Sequence, residues 1–569
     1  MKKKSLLFLL PLFVFLSVGA QIYEAEEGAL VGVQKASSRS GFSGSGYITG
    51  FDNENDRVTL TFSWENEGKY QLYIGYAAPY GDKKNNVWVN GEHIAEVQFL
   101  NGTRFTEVNV GKIVLQEGEN TLSVVNSWGW FELDYIRIAE ALPSAEWSIP
   151  TSPVNPEASP EAVRLYQFLR YHFGKTTFAG QFQSEDKSYT ANNSDIRYIH
   201  QITGKYPALY GNDLIDYSPS RIEFGASSQA TDDVIKWYKN LGGMVTLTWH
   251  WNAPTDLPNT SEQPWWSGFY TRATTFDLAW VLAHPESEKY ALLLRDIDAI
   301  AQQLKRLQAE NIPVLWRPLH EAEGAWFWWG AKGPEPCVQL WRLLYDRITR
   351  HHAINNLLWV WTTTDSPFAL EWYPGDDYVD ILGVDVYLSN GNYSASAILF
   401  DNLRNLFEGK RMLTMSENGT LPSPEKMVAQ EARWLYNCTW VGDFVFDPEV
   451  NSVGHKIAFF NHAEITTLDE MQAAWEAYTG VDGKKKRRNP EVYPNPAMNR
   501  VTFRLNPQEL PEKITLVAAT GKETLLFCSN EMQQELNLSL DGIGPGFYLV
   551  RFYFAHSVQN HKLQIINSR

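Results

Sequence analysis

Hydrophobic and polar residues alternate along the first and last parts of the chain. Between residues 21 and 140, alternating stretches such as 58–62, 70–74 and 121–125 are separated by turn residues, and this pattern predicts an N-terminal β-sandwich of the jelly-roll type. Residues 491–569 alternate in the same way, so we predict a second, small β-sandwich at the C-terminus.

A different pattern occupies residues 161–480. Apolar runs of strand length alternate there with amphipathic helical stretches such as residues 296–309, which is typical of repeated β/α units. A (β/α)8 TIM barrel is the fold that this repetition predicts. The eight candidate strands are residues 177–181, 208–211, 244–248, 314–317, 357–361, 381–384, 412–415 and 436–439.

Two linkers and a leader complete the predicted organisation. Residues 141–160 are rich in Pro and Ser and are expected to form an extended linker, and the basic residues 481–490 form a second, solvated one. Residues 1–20 combine lysines, an apolar run and a small-residue ending, so we predict a signal peptide cleaved after Ala20. No later stretch approaches the ~20 apolar residues of a membrane-spanning helix, and we expect no membrane span.

Composition narrows the classes of partner. The formal net charge of −17 argues against nucleic acid, whose backbone repels an acidic surface. The 22 Trp, 27 Tyr and 29 Phe residues supply many flat faces for stacking on sugar rings, although a large, well-packed protein is the simpler alternative. Three scattered cysteines are too few for a disulfide framework and predict buried free thiols.

Two carboxylates follow predicted barrel strands. Glu321 comes just after the fourth strand, and Glu417 follows the seventh. A barrel carries its catalytic residues at the C-terminal ends of its strands, and cleavage of a glycosidic bond usually requires two carboxylates across that bond. The pair therefore predicts sugar-cleaving chemistry, with a salt-bridge role at the barrel rim as the alternative.

The motifs around these acids resemble glycoside hydrolase family 26, whose members are chiefly β-mannanases. The resemblance rests on Arg-Pro-Leu-His-Glu at 317–321, the aromatic run at 326–329 and Ser-Glu-Asn-Gly at 416–419. It implies that Glu321 is the general acid/base and Glu417 the nucleophile of a retaining enzyme. Such enzymes hold the two carboxyls ~5–5.5 Å apart.

The same resemblance implies further site residues. His320 matches a histidine that hydrogen-bonds near the nucleophile, and Tyr387 matches a tyrosine that hydrogen-bonds the nucleophile itself. Asp385 and Tyr387 end the sixth strand on one face, and we expect Asp385 to bind substrate. The other expected sugar contacts in the barrel are His250, Trp326, Trp440, Trp265 and Trp266, each with a structural or core role as the alternative.

The N-terminal segment resembles a family 35 carbohydrate-binding module, through Tyr-Glu-Ala-Glu at 23–26 and the aromatic and acidic run at 128–136. The resemblance implies a structural Ca²⁺, an ion that prefers hard carboxylate oxygens, and solvated surface acids are the alternative. The implied ligands are Glu24, Glu26 and Asp134. We expect Trp128 to stack on sugar, and we expect no cofactor for catalysis.

Residues 491–569 resemble the C-terminal sorting domain of the type IX (Por) secretion system, through the motifs at 492–496 and 546–552. The resemblance implies a protein that is secreted or held at the outer cell surface, with the secretion machinery as a partner. Another small sugar-binding module is the alternative, which the absence of Trp from this segment disfavours.

Taken together, the resemblances imply a secreted, monomeric, retaining endo-β-1,4-mannanase acting on mannan, glucomannan or galactomannan. A mixed-linkage β-glucanase or β-1,3-xylanase of the same family is the nearest alternative. A non-catalytic surface glycan-binding protein is a second one, which the joint presence of Glu321, Glu417, Tyr387 and His320 opposes.

Overall fold

The computed structural model describes residues 20–184, 187–484, 490–505, 511, 513–518, 522–528, 535–554 and 557–566. The predicted signal peptide up to residue 19 and residues 485–489 of the basic linker lie outside the described residues, so these two expectations stay predictions. The chain divides into two compact units between residues 474 and 475. Among the described helices, none is both long and apolar enough to cross a membrane.

Residues 21–140 form two antiparallel sheets. One has the order β3-β4-β11-β6-β9 with β1 beside β11, and the other has the order β2-β5-β10-β7-β8. Alternate residues of β5, from Val58 to Trp64, are buried between the sheets, as the hydrophobic alternation predicts. The strands are β1 (Gln21–Glu24), β2 (Ala29–Val31), β3 (Gln34–Ala36), β4 (Tyr47–Thr49), β5 (Arg57–Trp64), β6 (Gly68–Ala78), β7 (Lys83–Val89), β8 (Glu92–Phe99), β9 (Gly102–Leu115), β10 (Gly118–Trp128) and β11 (Glu132–Glu140).

The central strands form a closed parallel barrel, which confirms the predicted fold class. Each of the eight strands pairs with the next, and the eighth and the second both pair with the first. The strands are β12 (Thr177–Phe182), β13 (Leu209–Asp213), β14 (Met244–Thr248), β15 (Val314–Arg317), β16 (Leu357–Thr363), β17 (Ile381–Val386), β18 (Met412–Asn418) and β19 (Tyr436–Thr439), with β20 (Ile465–Thr466) added beside β12.

Helices surround these strands. The helical stretch predicted at 296–309 is longer in the structure and begins at Glu288, because the Ser287 hydroxyl caps it by accepting from the Tyr290 N–H. The helices are α1 (Pro160–His172), α2 (Asp195–Thr203), α3 (Pro219–Ile222), α4 (Ala230–Leu241), α5 (Leu278–Ala283), α6 (Glu288–Ala309), α7 (Pro334–Asp346), α8 (Ala369–Trp372), α9 (Ala397–Leu406), α10 (Pro424–Ala429), α11 (Asp443–Phe446), α12 (Val453–Phe460) and α13 (Met471–Lys484). Cys337 and Cys438 are buried free thiols.

The C-terminal strands form two small antiparallel sheets, ordered β21-β22-β25 and β24-β23-β26-β27. Val501 and Phe503 from one sheet and Ile514, Val550 and Phe552 from the other are buried in one core. The strands are β21 (Glu491–Tyr493), β22 (Arg500–Arg504), β23 (Lys513–Ala518), β24 (Glu523–Cys528), β25 (Glu535–Ser539), β26 (Gly546–Phe554) and β27 (Ser557–Ile565).

The N-terminal sandwich packs directly on helix α9 of the barrel. Ile398 of that helix is buried in the sandwich core, against Gly111 of β9. The Asn402 side chain donates to the Val110 carbonyl at 3.0 Å, and Lys112 pairs with Asp401 at 3.0 Å. Sandwich and barrel therefore share a buried seam in addition to their linker.

The linker itself lies along the barrel. Residues 141–159 contain no helix or strand, which agrees with an extended segment. The Ala145 N–H donates to Asn405 Oδ1 at 2.7 Å, and the Val154 N–H donates to Asp380 Oδ1 at 2.7 Å. These contacts hold the extended segment in place.

A substitution at the seam tests this packing. Gly111 has φ +134°, and a Cβ there would lie 2.7 Å from Ile398 Cγ2. Gly118 also has positive φ but has no atom within 4 Å of its would-be Cβ, so Gly118→Ala is a matched control. We expect Gly111→Ala to lower the free energy of unfolding by ~1–3 kcal/mol more than the control, because overpacking adds to backbone strain. Equal losses in denaturant unfolding would contradict a tight seam.

Candidate active site

The functional side chains gather at the C-terminal mouth of the barrel. Arg317 ends β15, Asp385 and Glu417 lie near the ends of β17 and β18, and Glu321 follows β15 after a short turn. One carboxylate oxygen from each of the three acids lies within 4.8 Å of the others. The structure therefore brings together the two carboxylates that the sequence singles out, at short range.

Glu417 is held by two donors. Arg317 Nη2 donates to Oε2, and the Tyr387 hydroxyl donates to Oε1, both over very short contacts. Burial and the negative charge of Glu417 raise the pKa of Tyr387 well above its ordinary value, so the phenol keeps its proton and stays a donor. Donors to both oxygens fix the orientation of the Glu417 carboxyl.

Arg317 is a fully buried cation between acids. Its Nη1 donates to Asp385 Oδ2 at 2.8 Å, and its guanidinium lies 5.7 Å from the Phe182 ring centre. Burial opposes the charge, but the carboxylates of Asp385 and Glu417 outweigh it and raise the pKa of Arg317. The site therefore holds a permanent positive charge beside Glu417.

Asp385 is engaged by protein groups, which disfavours the substrate contact predicted for it. Its side chain is fully buried and accepts from Arg317 and from Ser416 Oγ, the latter at 2.8 Å. The pairing of β17 with β18 shifts register between Val384 and Asp385. The extra residue of this bulge is Ser416 of β18, the residue whose hydroxyl donates to Asp385.

Glu321 occupies a tight turn. Its backbone has φ +52°, and a short 3₁₀ turn, Ala322–Gly324, follows. Trp326 Nε1 donates to Glu321 Oε2 at 2.8 Å. A Cβ on Gly324 would lie 2.0 Å from the Trp326 ring, so only glycine allows this approach.

The surroundings of Glu321 favour its protonated form. Burial and the negative charge of Glu417 both raise the pKa of Glu321, and they outweigh the opposing effects of Trp326 and Arg317. Glu321 therefore suits the role of a proton donor beside Glu417.

Two histidines form a relay beside this pair. Thr248 Oγ1 donates to the Arg317 carbonyl at 3.0 Å, so it accepts from His320 Nδ1 at 3.2 Å. His320 Nε2 then accepts from His250 Nε2 at 3.1 Å, and His250 Nδ1 donates to Asp213 Oδ2 at 2.5 Å. This hydrogen-bond order requires a neutral His320 and a protonated His250.

The electrostatics agree with that order. Burial opposes the charge of His250, but the negative charge of Asp213 outweighs it and raises the pKa of His250. Burial and the charge of Arg317 hold the pKa of His320 well below its usual value. Asp213 therefore fixes the charge on His250, which in turn orients His320.

Aromatic residues line the mouth. Trp440 follows β19, with its ring centre 5.5 Å from His250 and 4.8 Å from Phe182. Trp326 is 43% exposed beside Glu321. Trp265 stacks on Phe224 with ring centres 5.2 Å apart, and the adjacent Trp266 is 55% exposed. The aromatic residues predicted for sugar binding thus lie on the loops after β14, β15 and β19.

The acids predicted in the sandwich also converge. The Ser43 hydroxyl donates to Glu24 at 2.7 Å, the Ser45 N–H donates to Glu26 at 2.6 Å, and the Ser43 N–H donates to Asp134 at 2.9 Å. One carboxylate oxygen each of Glu24 and Glu26 is buried without a hydrogen-bond partner in the described structure. At another point of the sandwich, Trp128 is 67% exposed with Lys83 Nζ 4.7 Å from its ring centre.

Sequence reasoning left three participants without a role. Asp213 ends β13, and the same rule that singled out Glu417 could have found it. Arg317 stands inside the quoted motif, but its contact with Glu417 crosses the barrel mouth and has no signature along the chain. Phe224, which stacks on Trp265, lies in a loop with no pattern to mark it.

Family models match three parts of the chain. Residues 154–470 match glycosyl hydrolase family 26, residues 21–141 match the family 35 carbohydrate binding module, and residues 491–566 match the secretion system C-terminal sorting domain. The three resemblances proposed from motifs are thereby confirmed.

Curated relatives cover most of the chain. A mannan endo-1,4-β-mannosidase of Thermothelomyces thermophilus is 45% identical over 81% of this chain and 92% of its own length. Mannan endo-1,4-β-mannosidase B of a Piromyces species is 34% identical over 83% of this chain and 81% of its own length.

Solved structures are similar over the same region. A GH26-CBM35 β-(1,4)-mannanase of Podospora anserina has 45% identity and a TM-score of 0.56, covering 80% of this chain and 99% of its own. A ruminal GH26 endo-β-1,4-mannanase has 29% identity and a TM-score of 0.58, covering 79% of this chain and 98% of its own.

Removing the Tyr387 hydroxyl tests its hydrogen bond to Glu417. We expect Tyr387→Phe to lower kcat for glycoside hydrolysis about 10–100-fold, because a hydrogen bond to a charged group is worth ~1.5–3 kcal/mol. The melting temperature should not change, since the ring keeps its packing on Phe444. Tyr373→Phe, which loses a hydroxyl bonded to Asp376 elsewhere, is the control and should keep full kcat. Equal kcat values for the two variants would rule out a catalytic role for this hydrogen bond.

Proposed function

This chain belongs to glycosyl hydrolase family 26, and from that premise we propose that it is a secreted, retaining endo-β-1,4-mannanase acting on mannan, glucomannan or galactomannan. The observation that carries the mechanism is the short distance between Glu321 and Glu417. One carboxyl oxygen of Glu321 lies within 4.8 Å of one of Glu417. Inverting glycosidases separate their carboxyls by ~6.5–9.5 Å to admit a water, whereas retaining ones bring them closer.

The first chemical step forms a covalent intermediate. An oxygen of Glu417 attacks the anomeric carbon while Glu321 gives its proton to the leaving glycosidic oxygen, so the C–O bond breaks and a glycosyl ester forms. Arg317 and Tyr387 orient the attacking carboxylate through its two oxygens. Their fixed dipole and charge need no reorganisation during the step.

The second step releases the sugar. Glu321, now ionised, takes a proton from water, whose oxygen attacks the anomeric carbon and expels Glu417 as a carboxylate. Two inversions at one carbon give net retention. Glu321 regains its proton in this step, which returns the site to its starting state.

The relatives favour mannan among the possible substrates. Three relatives that align over more than four fifths of this chain are all named mannan endo-1,4-β-mannosidases. This favours mannan over mixed-linkage β-glucan or β-1,3-xylan. The completed pair of carboxylates with its donors favours an enzyme over a glycan-binding protein without activity.

We assign sugar contacts to the aromatic residues and the histidine of the mouth. His250, Trp326 and Trp440 lie near the carboxylates, and Trp265 and Trp266 lie on the longer loop after β14. Trp128 is the corresponding platform on the sandwich. Each stacked ring is worth ~0.5–1.5 kcal/mol beyond its buried area, so several together retain a neutral polymer.

A structural calcium ion in the sandwich fits the residues present. Glu24, Glu26 and Asp134 supply hard oxygens, and two of these oxygens are buried without a partner. Burial and then the charges of Glu24 and Glu26 raise the pKa of Asp134 to about 6. In the described structure none of the three pairs with Lys or Arg, so a bound cation would relieve their repulsion.

The C-terminal sorting domain indicates export to the cell surface or the medium. The secretion machinery that reads such a domain is therefore a partner of this chain. Catalysis by one barrel needs no second copy, and we propose a monomer.

Azide rescue tests the two carboxylate roles. Glu321→Ala should regain activity with azide on an activated aryl β-mannoside, because its good leaving group needs no acid and azide replaces the activated water. The product should be a β-azide. Glu417→Ala should give no such product, and rescue of neither variant would contradict the assignment.

A substrate panel tests the specificity. We expect release of reducing ends from mannan and galactomannan, and little from mixed-linkage β-glucan or β-1,3-xylan, by the full chain. Glu417→Ala is the control and should release none. Cleavage of glucan or xylan in preference to mannan would overturn the substrate assignment.

Calcium should stabilise the sandwich in a pH-dependent way. The raised pKa of Asp134 means that its proton stabilises the calcium-free fold at low pH, and that this stability is lost as pH rises through about 6. Excess calcium, at 100 times its Kd, adds ~2.7 kcal/mol. We expect a larger rise in melting temperature at pH 7.5 than at pH 4.5, and none in Glu26→Gln. The same rise in that variant would place the ion elsewhere.

A further inference from the structure

A third carboxyl lies in the turn that carries the acid/base. Glu323 is the middle residue of the 3₁₀ turn that follows Glu321, and its Oε1 accepts from Thr363 Oγ1 at 2.6 Å. Its Oε2 is buried and has no hydrogen-bond partner in the described structure. Neither oxygen pairs with a Lys or Arg among the described residues, so this acid has no counter-charge.

The neighbours of Glu323 favour its neutral form. Helices α7 and α8 pack against the turn, and α7 brings the buried thiol of Cys337 near the carboxyl. The charges of α8 and of the start of α7, Glu371 and Glu335, are exposed. Burial, and to a lesser degree the charge of Glu321, raise the pKa of Glu323 to about 7. The uncharged acid is therefore the main form of Glu323 below neutral pH.

The turn after β15 needs contacts with the surrounding structure to keep its backbone conformation. Leu319, Glu321 and Ala325 all have positive φ, at +50°, +52° and +54°. Left-handed conformations of such residues persist only when surrounding contacts enforce them. Thr363, the last residue of β16, is a rigid and buried anchor for the Glu323 carboxyl.

The end of β16 contacts residues next to each of the two catalytic carboxyls. Thr362 Oγ1 lies 3.1 Å from Ser416 Oγ, which donates to Asp385 in the Arg317 network. Thr363 points to the opposite face, as successive strand residues do, and holds Glu323. One strand end thus links the surroundings of the nucleophile to the turn of the acid/base.

We propose that Glu323 is a positioning residue, which ties the turn after β15 to Thr363 and thereby fixes where Glu321 presents its proton. This inference rests on the proposed function, because it concerns proton delivery by Glu321. Glu323 itself does not touch the substrate in this role. Its loss should therefore harm only the steps in which Glu321 transfers a proton.

Leaving-group dependence separates this role from general damage to the fold. The kcat/KM of a retaining glycosidase reports the first step, in which a poor leaving group needs the acid and a very good one does not. We expect Glu323→Ala to lower kcat/KM about 10-fold on mannotetraose, a fraction of the 10²–10⁴-fold worth of a general acid. On dinitrophenyl β-mannobioside the change should stay within about 2-fold, as the acid is not needed there.

Two further variants make the test specific. Glu323→Gln keeps a neutral acceptor for Thr363 and should retain the wild-type kcat/KM on both substrates. Thr363→Val removes the hydroxyl with little change in shape, and should reproduce the selective loss of Glu323→Ala even if that variant folds poorly.

The outcomes divide cleanly. Selective loss in Glu323→Ala or Thr363→Val, with rescue in Glu323→Gln, supports the proposal. Equal losses on both substrates, no loss on either, or a Gln variant as impaired as the Ala variant overturns it. Wild-type protein inactive on both substrates would instead refute the proposed function, independently of Glu323.

Discussion

The buried ion pair between Arg317 and Glu417 is the interaction on which the rest of the site depends. Arg317 ends one barrel strand and reaches across the mouth to Glu417 on another, with Asp385 as its second partner. Removing one partner of such a pair leaves an uncompensated buried charge, which costs ~3–5 kcal/mol. The closed barrel fixes the separation of the two strands, so the distance between Arg317 and Glu417 is set by the backbone. A buried cation at this point allows several acids to share a small volume.

The different surroundings of Glu417 and Glu321 explain how two neighbouring glutamates act as nucleophile and as acid/base. Glu417 receives hydrogen bonds on both oxygens, whereas Glu321 has one indole donor and a pKa raised by burial and by the charge of Glu417. The hydrogen bonds from Asp213 through His250 to His320 orient side chains on the same side of the barrel mouth. Glu321 has positive φ, and one of its carboxyl oxygens lies within 4.8 Å of an oxygen of Glu417. The charges around the two glutamates and the backbone conformation of the turn thus both contribute to the geometry of this site.

The sequence predicted the barrel well because each buried parallel strand is an apolar run of limited length. Its eight strands lie within two or three residues of their predicted bounds, and both catalytic candidates were found because they follow such runs. Substrate contact by Asp385 is disfavoured because Arg317 and Ser416 engage its buried side chain, and neither contact has a signature along the chain. Asp213 could have been found, because it ends a strand as Glu417 does. Arg317 and Glu323 escaped assignment because their roles arise from contacts with other strands, which leave no periodic pattern. The seam between sandwich and barrel, centred on Gly111 and Ile398, was missed for the same reason.

The stereochemistry of the first product tests the central claim most directly. If Glu417, clamped by Arg317 and Tyr387, acts as a nucleophile opposite Glu321, proton NMR of a fresh digest of mannohexaose will show the β-anomer of the new reducing end first, with the α-anomer rising only by mutarotation. First appearance of the α-anomer would mean that a water, and not Glu417, attacks the sugar, and would contradict the account.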